Sequence, residues 1–505
     1  MSDVTISKVN EVYAKISCDR GIAKELSEHF TFFVPGYKFQ PAFKNKIWDG
    51  KIRLYNLQTR QLYLGLIKYV EEFCDERQYT FEYDSSGADL EDQFSQYHAK
   101  KFIDSLSLCD GYGESLMAHD YQIDSFVHGM QSKRTLLVSP TSSGKSLMIY
   151  LFVRQFLDYQ KLKGLIIVPT TSLVEQLTSD FKDYSLKNGF DVDRCVNKIY
   201  GFQGADKYSD KPVTITTWQS IYKLPKEWFE QFDFVIGDEA HQFKSDSLVG
   251  ALTKCTNTKY RIGTTGTLDG TKTNKLVLEG LFGLVKNVIT TKQLMDNGQV
   301  TPLTIKCIIL KHSDEISELI KKNDDSYKEE VQYLIRNKER NKFIRNLAIS
   351  LDKNTLILYQ MVDKHGKVLY NIIRETEKLG NRKVFFVNGS TETEDREQLR
   401  RIMEEETNAI IVASYGTFST GINIKNLHNI IFASPYKSRI KVLQSIGRVL
   451  RKGKNKDEAV LYDIADDMRV GNHMNSTLRH FVERVKIYTN EKFPFKIYKI
   501  GLKNE

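Results

Sequence analysis

The chain contains 505 residues, of which 41% are hydrophobic and 27% charged, a composition typical of a soluble globular protein with three or four domains. It has no apolar run near the roughly 18 residues of a membrane helix, and its start lacks a basic segment followed by an apolar one, so we expect neither a transmembrane helix nor a signal peptide. Six scattered cysteines without metal-ligand spacing favour a reduced, cytosolic protein without a zinc or iron–sulfur centre.

Residues 1–95 are predicted to form a small α+β module with an acidic linker at 85–95. Residues 31–70 contain seven basic residues and one acid, Asp49, whereas residues 71–95 contain nine acids. Such a basic segment is typical of phosphate-backbone binding, although the net charge of +9 is weak evidence for nucleic acid by itself. The predicted nucleic-acid contacts here are Lys44, Lys46, Lys51 and Arg53.

Aromatic residues are interleaved with these basic residues. They are Phe32, Phe33, Tyr37, Phe39, Phe43, Trp48 and Tyr55. Aromatic side chains in such a segment can stack on exposed bases. They can also form the core of a small domain, and we interpret most of them as core residues.

Residues 96–290 are predicted to form a first lobe built on a parallel sheet. Apolar runs alternate with helical stretches, which predicts strands covered by helices on both faces. The predicted strands are 135–138, 164–168, 213–217, 232–236 and 260–263.

The segment after the first of these strands has the composition of a phosphate-binding loop. It runs Ser139-Pro140-Thr141-Ser142-Ser143-Gly144-Lys145-Ser146 and leads into a predicted helix. Small residues let backbone N–H groups close around phosphate, and the helix adds its positive N-terminal end. We predict phosphate contacts by Thr141, Ser142, Ser143 and Gly144. Lys145 would hold the β- and γ-phosphates, and Ser146 would ligate magnesium.

A second segment of charged residues follows the strand at 232–236. It reads Asp238-Glu239-Ala240-His241. Carboxylates at the carboxyl end of a strand face the ligand crevice of an open α/β sheet. Asp238 would hold magnesium through water, Glu239 would be the general base that orients the attacking water, and His241 would couple the phosphate site to the neighbouring domain.

The second half is predicted to contain another parallel-sheet lobe at 346–465, preceded by a linker at 291–345 and followed by a C-terminal extension at 466–505. Its predicted strands lie near 355–359, 383–387, 409–413, 429–433 and 459–463. Gln444, Arg448 and Arg451 have the spacing of one helix face, and Arg suits stabilising charge on a transferring phosphoryl group. An ordinary amphipathic surface helix remains the alternative.

Between about residues 115 and 465 the motifs resemble, in order, those of superfamily 2 helicases of the DEAH-box kind. Besides the segments above they are His119-Asp120-Tyr121-Gln122, Val168-Pro169-Thr170-Thr171, Thr216-Thr217-Trp218-Gln219-Ser220, Gly263-Thr264-Thr265-Gly266-Thr267 and Ser419-Thr420-Gly421-Ile422-Asn423.

The resemblance implies a role for each motif. It implies adenine binding by Gln122 and a nucleotide contact by Gly421. It implies coupling by His241, Thr265 and Thr267, and arginine fingers in the motif of Gln444, Arg448 and Arg451. The implied nucleic-acid contacts are Thr170, Thr171, Thr217, Trp218, Gln219 and Thr420.

The chain also resembles the UvsW recombination helicases of tailed phages. This resemblance includes the segments 48–54, 294–300 and 413–421. It implies an α/β fold with two tandem RecA-like lobes, a small α+β N-terminal DNA-binding module and a short C-terminal extension. The implied protein is an ATP- and Mg²⁺-dependent helicase, monomeric and cytoplasmic (in the host cell if phage-encoded). Its implied substrates are branched and single-stranded DNA, including forks, Holliday junctions, D-loops and RNA-containing R-loops, in recombination, repair and replication.

Three other functions stay open from sequence alone. A duplex translocase that does not separate strands shares these motifs, and so does an RNA helicase, although the basic module favours DNA. A nucleic-acid-binding scaffold with an inactive motor is disfavoured because Lys145, Asp238, Glu239, Gln444 and both arginines are present.

Overall fold

The computed structural model describes residues 2–84, 94–201, 206–243, 245–322, 327–421, 424–453 and 456–502. Contacts divide the chain into two units, one comprising Met1–Ser139 with Gly144–Val288 and the other Pro140–Ser143 with Ile289–Glu505. Within the described ranges, no helix is both long enough and apolar enough to cross a membrane. The predicted acidic linker at 85–95 lies mostly outside the described residues.

The N-terminal part of the first unit has two small sheets and three helices. The larger sheet has the order β5-β2-β1-β6, with β1 antiparallel to β2 and parallel to β6. Strands β3 and β4 pair separately as an antiparallel hairpin. The elements are β1 (Val4–Lys8), β2 (Tyr13–Cys18), α1 (Arg20–His29), β3 (Thr31–Phe33), α2 (Pro41–Lys44), β4 (Lys51–Arg53), β5 (Gln61–Tyr63), α3 (Ile67–Arg77) and β6 (Phe81–Tyr83).

The prediction that most aromatic residues of this part are core residues was wrong. Tyr55 is buried, but Phe33 and Phe39 are exposed by 52% and 81%. The remaining four are half-buried, namely Phe32, Tyr37, Phe43 and Trp48. The reason is topological, since the hairpin of β3 and β4 does not join the four-stranded sheet, and the segment between its strands packs mainly on its own side chains.

This N-terminal part shares one hydrophobic core with the sheet that follows it. The Tyr69 hydroxyl donates a hydrogen bond to Glu279 Oε2 at 2.8 Å, and Arg134 forms an ion pair with Glu11. A Cβ at Gly65 would lie 2.0 Å from the backbone oxygen of Glu279. The two parts are therefore packed backbone against backbone.

The first seven-stranded sheet is entirely parallel, with the order β13-β7-β12-β11-β8-β10-β9, which confirms the predicted lobe architecture. All five predicted strands are present, and two short edge strands, β9 and β13, were not predicted. The elements are α4 (Gln96–Ser105), α5 (Asp120–Ser132), β7 (Arg134–Val138), α6 (Lys145–Asp158), β8 (Gly164–Val168), α7 (Thr171–Ser185), α8 (Val192–Cys195), β9 (Val196–Ile199), β10 (Val213–Thr217), α9 (Trp218–Ile221), α10 (Lys226–Glu230), β11 (Phe234–Gly237), α11 (Asp246–Thr253), β12 (Tyr260–Thr265), α12 (Lys272–Phe282) and β13 (Val285–Asn287).

The second unit contains another parallel seven-stranded sheet, with the order β16-β17-β15-β18-β19-β14-β20. Its elements are α13 (Thr291–Asp296), β14 (Leu303–Lys311), α14 (Asp314–Lys322), α15 (Tyr327–Arg336), α16 (Lys338–Ser350), β15 (Thr355–Tyr359), α17 (Lys367–Arg374), β16 (Val384–Val387), α18 (Thr393–Glu405), β17 (Ile410–Ser414), α19 (Tyr415–Gly421), β18 (Asn429–Phe432), α20 (Arg439–Val449), β19 (Ala459–Asp467), α21 (Ser476–Asn490) and β20 (Phe495–Gly501).

Two strands of this sheet come from segments in which no strand was predicted. Strand β14 lies in the predicted linker 291–345, and β20 lies in the predicted C-terminal extension. The two strands pair with each other in parallel, and β14 also pairs with β19. The second sheet therefore draws on both segments that flank the predicted lobe.

Buried ion pairs join helices to strand β19. Arg484 on α21 binds Asp463 through contacts of 2.8–3.1 Å, and Arg340 on α16 binds Asp466 at 2.9 Å. Burial alone would raise the pKa of Asp466, but Arg340 and His312 outweigh it and lower that pKa to about 2.

We predict that Gly65→Ala destabilises the first unit, because the new methyl group would collide with a backbone oxygen that cannot rotate away. Overpacking of this kind costs about 1–3 kcal/mol. A lower melting temperature in a thermal unfolding experiment is the expected result. Gly250→Ala on α11 is the matched control, since its Cβ meets nothing within 4 Å and helix propensity favours Ala. Equal melting temperatures for both variants would contradict the packing.

We predict that Asp466→Asn destabilises the second unit by about 3–5 kcal/mol at pH 7, because Arg340 would keep a buried charge without its partner. Since folding lowers the Asp466 pKa, the carboxylate stabilises the fold above its unfolded pKa of about 3.9, and this contribution is lost as the pH falls toward 2. When unfolding is measured at pH 7, 5, 4 and 3, the free energy of unfolding should fall less on acidification in the variant than in the unaltered chain. Asp363→Asn, which removes an exposed ion pair with Lys367, is the control and should change little.

Candidate functional site

Three neighbouring strands of the first sheet end side by side at one edge. Strand β12 lies between β7 and β11, with Gly263 opposite both Leu136 and Gly237. The predicted phosphate loop follows β7, Asp238 follows β11, and Thr265 is the last residue of β12. The carboxyl ends of parallel strands form the usual ligand edge of such a sheet. The structure thus brings together the first-unit residues that the sequence predicted for one site.

The loop has the backbone shape of a phosphate cradle. Ser142 and Gly144 have positive φ angles of 72° and 76°, and helix α6 begins at Lys145. The Ser139 amide donates a hydrogen bond to the Thr265 carbonyl oxygen at 2.8 Å, which ties the loop to β12. Lys145 Nζ lies 3.3 Å from the Ser139 carbonyl oxygen, across the loop.

The buried residue Gln122 lies directly against this loop. Its Oε1 accepts a hydrogen bond from the His119 amide at 2.8 Å, which fixes the side-chain amide at the start of α5. A Cβ at Gly144 would lie 2.3 Å from Gln122 Nε2. A glycine is therefore required both for the backbone angle and for the space that Gln122 occupies.

Asp238 is placed so that its ionisation is sensitive to its neighbours. Its carboxylate accepts a hydrogen bond from the Thr264 hydroxyl at 2.7 Å. Burial and then the neighbouring charge of Glu239 raise the pKa of Asp238, whereas Lys145 and the Thr264 hydroxyl lower it, and the net direction is upward. A cation beside the carboxylate would offset the charge of Glu239 and favour the ionised form of Asp238.

Ser146 has a partner that the sequence analysis did not predict. Its hydroxyl lies 2.8 Å from the hydroxyl of Tyr184 on α7. Burial raises the pKa of Tyr184, so its hydroxyl stays protonated at neutral pH. Tyr184 thereby fixes the position of the Ser146 hydroxyl at the start of α6.

The three residues predicted for coupling form one hydrogen-bonded group. His241 Nδ1 lies 3.0 Å from Thr265 Oγ1 and 3.3 Å from Glu239 Oε2. The Thr265 hydroxyl also donates to the Thr267 carbonyl oxygen at 3.2 Å. Glu239 itself has a left-handed backbone, with φ of 49°, which turns the chain after the strand so that His241 faces β12. This group connects the predicted general base to the end of β12.

The predicted nucleic-acid residues of the first lobe lie at the ends of β8 and β10. Thr170 caps helix α7 by accepting a hydrogen bond from the Leu173 amide at 3.4 Å, and Thr171 is exposed. Thr217 is buried, with its hydroxyl 3.0 Å from that of Ser220, and Trp218 is half-buried. Of the residues at the end of β10, Gln219 is the exposed one.

The four basic residues predicted in the N-terminal part form a separate group on the hairpin. Lys44, Lys46 and Arg53 are exposed, and Arg53 forms an ion pair with Asp49 at 2.5 Å. Lys51 is half-buried, and its Nζ lies 5.0 Å from the centre of the Phe33 ring.

In the second unit the structure changes one detail of the predicted arginine motif. Gln444 and Arg448 lie half-buried on α20, but that helix ends at Val449, so Arg451 follows the helix rather than sharing its face. Because the backbone bends at Arg451, the position of its side chain no longer follows the helical periodicity of α20. Gly421 is the last residue of α19, whereas the side chain of Thr420 lies outside the described residues, as do Ile422 and Asn423.

The second unit also contains a cavity of about 630 Å³ that the sequence analysis did not predict. Tyr359 and Ser414, the last residues of β15 and β17, line it. Two cations, Arg396 and Lys441, line it as well. The signal was available, because residues that follow parallel strands lie at the ligand edge of their sheet.

Comparisons with protein families cover three parts of the chain. Residues 3–84 match the N-terminal family of DNA helicase UvsW, residues 93–270 match the res subunit of type III restriction enzymes, and residues 339–453 match the helicase conserved C-terminal domain.

Comparisons with individual proteins extend over the whole chain. The ATP-dependent DNA helicase uvsW of Enterobacteria phage T4 is 36% identical over 97% of this chain and 98% of its own length. The crystal structure of T4 UvsW matches with a TM-score of 0.53 and 34% identity, over 99% of this chain and 100% of that one. A DNA 3′-5′ translocase of Sulfurisphaera tokodaii is 23% identical over 70% of this chain and 82% of its own.

We predict that Gly144→Ala weakens binding of a fluorescent adenine nucleotide by at least about tenfold. A left-handed angle costs a non-glycine residue about 1–2 kcal/mol, and the methyl group would also displace Gln122. Gly250→Ala, which is remote from the loop, should bind the nucleotide like the unaltered chain. Unchanged affinity in Gly144→Ala, with the fold intact, would contradict the contact between Gln122 and the loop.

Proposed function

Since the chain belongs to the UvsW family of ATP-dependent DNA helicases, we propose that it acts on branched DNA in recombination, repair and replication restart. The forks, Holliday junctions, D-loops and R-loops named above are its proposed substrates. One observation carries the proposal, namely that the basic hairpin packs against the same hydrophobic core as β7, the strand that leads into the phosphate loop. A motor that binds DNA at a fixed distance from its nucleotide site is suited to a junction, where two segments of DNA must be bound together.

For the nucleotide, we propose that the loop residues Thr141 to Gly144 hold the phosphates through their backbone amides. Lys145 holds the β- and γ-phosphates, and Gln122 binds the edge of the adenine. The position of Gln122 against Gly144 supports the last assignment, since it places a side-chain amide at the end of the phosphate loop.

For the metal, we propose that Ser146 and Asp238 hold Mg²⁺. A hydroxyl and a carboxylate are the oxygen ligands that Mg²⁺ prefers, so the residues fit the ion. Bound Mg²⁺ neutralises charge on the phosphates. Glu239 acts as the general base that orients the attacking water, and the half-buried side chains of Gln444 and Arg448, with Arg451, stabilise the charge on the transferred phosphoryl group.

For coupling and DNA binding, we propose that His241, Thr265 and Thr267 transmit the state of Glu239 to the end of β12. Nucleic-acid contacts are assigned to the first-lobe residues Thr170, Thr171, Thr217, Trp218 and Gln219, and to Thr420 in the second lobe. We add the cavity lined by Arg396 and Lys441, because two cations at a sheet edge suit phosphate oxygens. The hairpin residues Lys44, Lys46, Lys51 and Arg53 would hold the backbone of the adjoining duplex.

One chain carries all these motifs, which supports action as a monomer. The proposed DNA substrate and the similarity to a phage helicase support action in the cytoplasm of the host cell. The likeness to a DNA translocase supports a second candidate function, movement along duplex DNA without strand separation.

We predict that branched DNA stimulates ATP turnover by the full chain more strongly than other nucleic acids do. The measurement compares no nucleic acid, single-stranded DNA, plain duplex, a four-way junction and RNA. Lys145→Ala is the control and should hydrolyse no ATP with any of them. Equal stimulation by plain duplex would favour the translocase, and stimulation by RNA alone would contradict the proposal.

We predict that the double variant Lys44→Ala/Lys46→Ala lowers the salt dependence of duplex binding. Each lost phosphate contact reduces the slope of log affinity against log salt by about 0.9, so the expected change is about 2. Lys15→Ala/Lys24→Ala removes the same charge from exposed positions outside the hairpin and should leave the slope unchanged. Equal slopes for the two variants would contradict hairpin binding.

A further inference from the structure

The hairpin of β3 and β4 carries an exposed aromatic surface that phosphate binding does not explain. Phe33, Phe39 and Ile47 are exposed by 52%, 81% and 79%. These three side chains lie within fifteen residues of one another in sequence, on one segment of the same hairpin. Several large apolar side chains exposed on one short segment indicate a binding site more strongly than a single one does.

The surface is held in place by its own contacts. The Val34 amide donates to the Gly50 carbonyl oxygen at 2.9 Å, and the Trp48 indole N–H donates to the Lys51 carbonyl oxygen at 2.9 Å. These bonds close the segment 34–50 at its base. The aromatic side chains are therefore presented on a closed loop, which lowers the entropic cost of ordering them on binding.

Aromatic rings pack inside the loop in the two preferred geometries. The rings of Phe33 and Tyr37 stack with centroids 4.7 Å apart at an interplanar angle of 24°, and Phe43 meets Tyr37 edge-on at 4.7 Å. A Cβ at Gly50 would lie 2.4 Å from the Tyr37 ring, so only a residue without a side chain leaves room for that ring. The exposed ring of Phe39 is adjacent in sequence to this cluster.

Positive charge surrounds the rings. Residues 31–53 contain Lys38, Lys44, Lys46, Lys51 and Arg53. The one acid of that segment, Asp49, is paired with Arg53. Lys51 Nζ lies 5.0 Å from the centre of the Phe33 ring, and Lys38 Nζ lies 5.9 Å from that of Tyr37. Cations next to exposed rings attract an anionic ligand that also has a flat apolar face.

We propose that this surface, formed by Phe33, Phe39 and Ile47, is a base-stacking site for unpaired nucleotides of single-stranded DNA. Bases inside a duplex are stacked on each other and expose no ring face, whereas the strands at a branch point do. Rings combined with lysines match both parts of an unpaired nucleotide, the base and the phosphate. The inference rests on the proposed function, because a branch places unpaired bases beside the duplex that the basic residues hold.

Other occupants fit the charges less well. A second copy of this surface would bring two clusters of positive charge together, which is unfavourable. Intact duplex would satisfy the lysines but leave Phe39 and Ile47 in water. Single-stranded DNA is the ligand that uses both the rings and the cations.

The test measures stacking directly with the full chain in the absence of nucleotide. The probe is a short single-stranded oligothymidine with one 2-aminopurine, a base whose fluorescence is quenched when it stacks on an aromatic ring. We expect quenching by the unaltered chain. In Phe39→Ala we expect less quenching and about ten- to hundredfold weaker binding, since stacking on a ring stabilises each base substantially. Phe39 is 81% exposed, so its replacement should not affect folding.

Two further variants separate stacking from charge. Phe39→Tyr keeps the ring and should keep both quenching and affinity. Lys44→Ala should lower the salt dependence of binding but leave quenching at saturation unchanged, whereas Phe39→Ala should leave the salt dependence unchanged. If Phe39→Ala quenches and binds like the unaltered chain, the stacking site is overturned.

The two proposals can fail separately. If Phe39→Ala quenches and binds like the unaltered chain, the stacking site is overturned, while junction-stimulated ATP turnover by the unaltered chain would still support the proposed function. Absence of junction stimulation together with Phe39-dependent quenching would instead contradict the branched-DNA proposal and retain the stacking site.

Discussion

The proposed nucleotide site depends on the hydrogen-bond register between β7, β12 and β11. In a parallel sheet the register decides which residues end at the same level, and here Gly263 stands opposite both Leu136 and Gly237. That alignment places the phosphate loop, Thr265 and Asp238 at one edge. Gly237 and Gly263 have no side chains, and the ring of Phe282 occupies the space that Cβ atoms would fill at these two positions. A shift of register by one residue would turn each of these side chains to the other face.

The contacts at this edge support the proposed coupling between the phosphate loop and the acidic segment. The Ser139 amide binds the Thr265 carbonyl oxygen, while the Thr265 hydroxyl meets His241, which in turn meets Glu239. The loop and the acidic segment thus share β12 as a common neighbour. We therefore propose that a change at the phosphates reaches the end of that strand through these neighbouring contacts.

Sequence predicted the elements whose signals are local. The loop from Ser139 to Ser146 and the segment from Asp238 to His241 combine a buried strand with small or acidic residues directly after it, so spacing was sufficient. Strand β14 was missed although six of the nine residues of Leu303–Lys311 are apolar, because the charged helices after it made the whole segment resemble a linker. Strand β20 carries lysines, and its place at the sheet edge depends on pairing with a strand almost 200 residues earlier. Tyr184 beside Ser146 and the cavity with Arg396 likewise depend on contacts between distant segments.

The N-terminal aromatic residues were predicted to be more buried than they are, again because their burial depends on contacts that the local sequence does not reveal. Composition favoured a core, since seven aromatic residues in so short a span usually pack together. Whether they do depends on the sheet that β3 and β4 join, and they pair only with each other. The hairpin is nonetheless anchored, because Phe33 accepts a hydrogen bond from Thr273 and Lys272 lies 5.3 Å from the centre of the Phe32 ring, both on α12 of the motor sheet. Two residues separate the end of α12 from β13, which pairs with the strand that leads into the phosphate loop. The exposed rings are therefore attached to the motor through a helix and a strand rather than through a flexible linker.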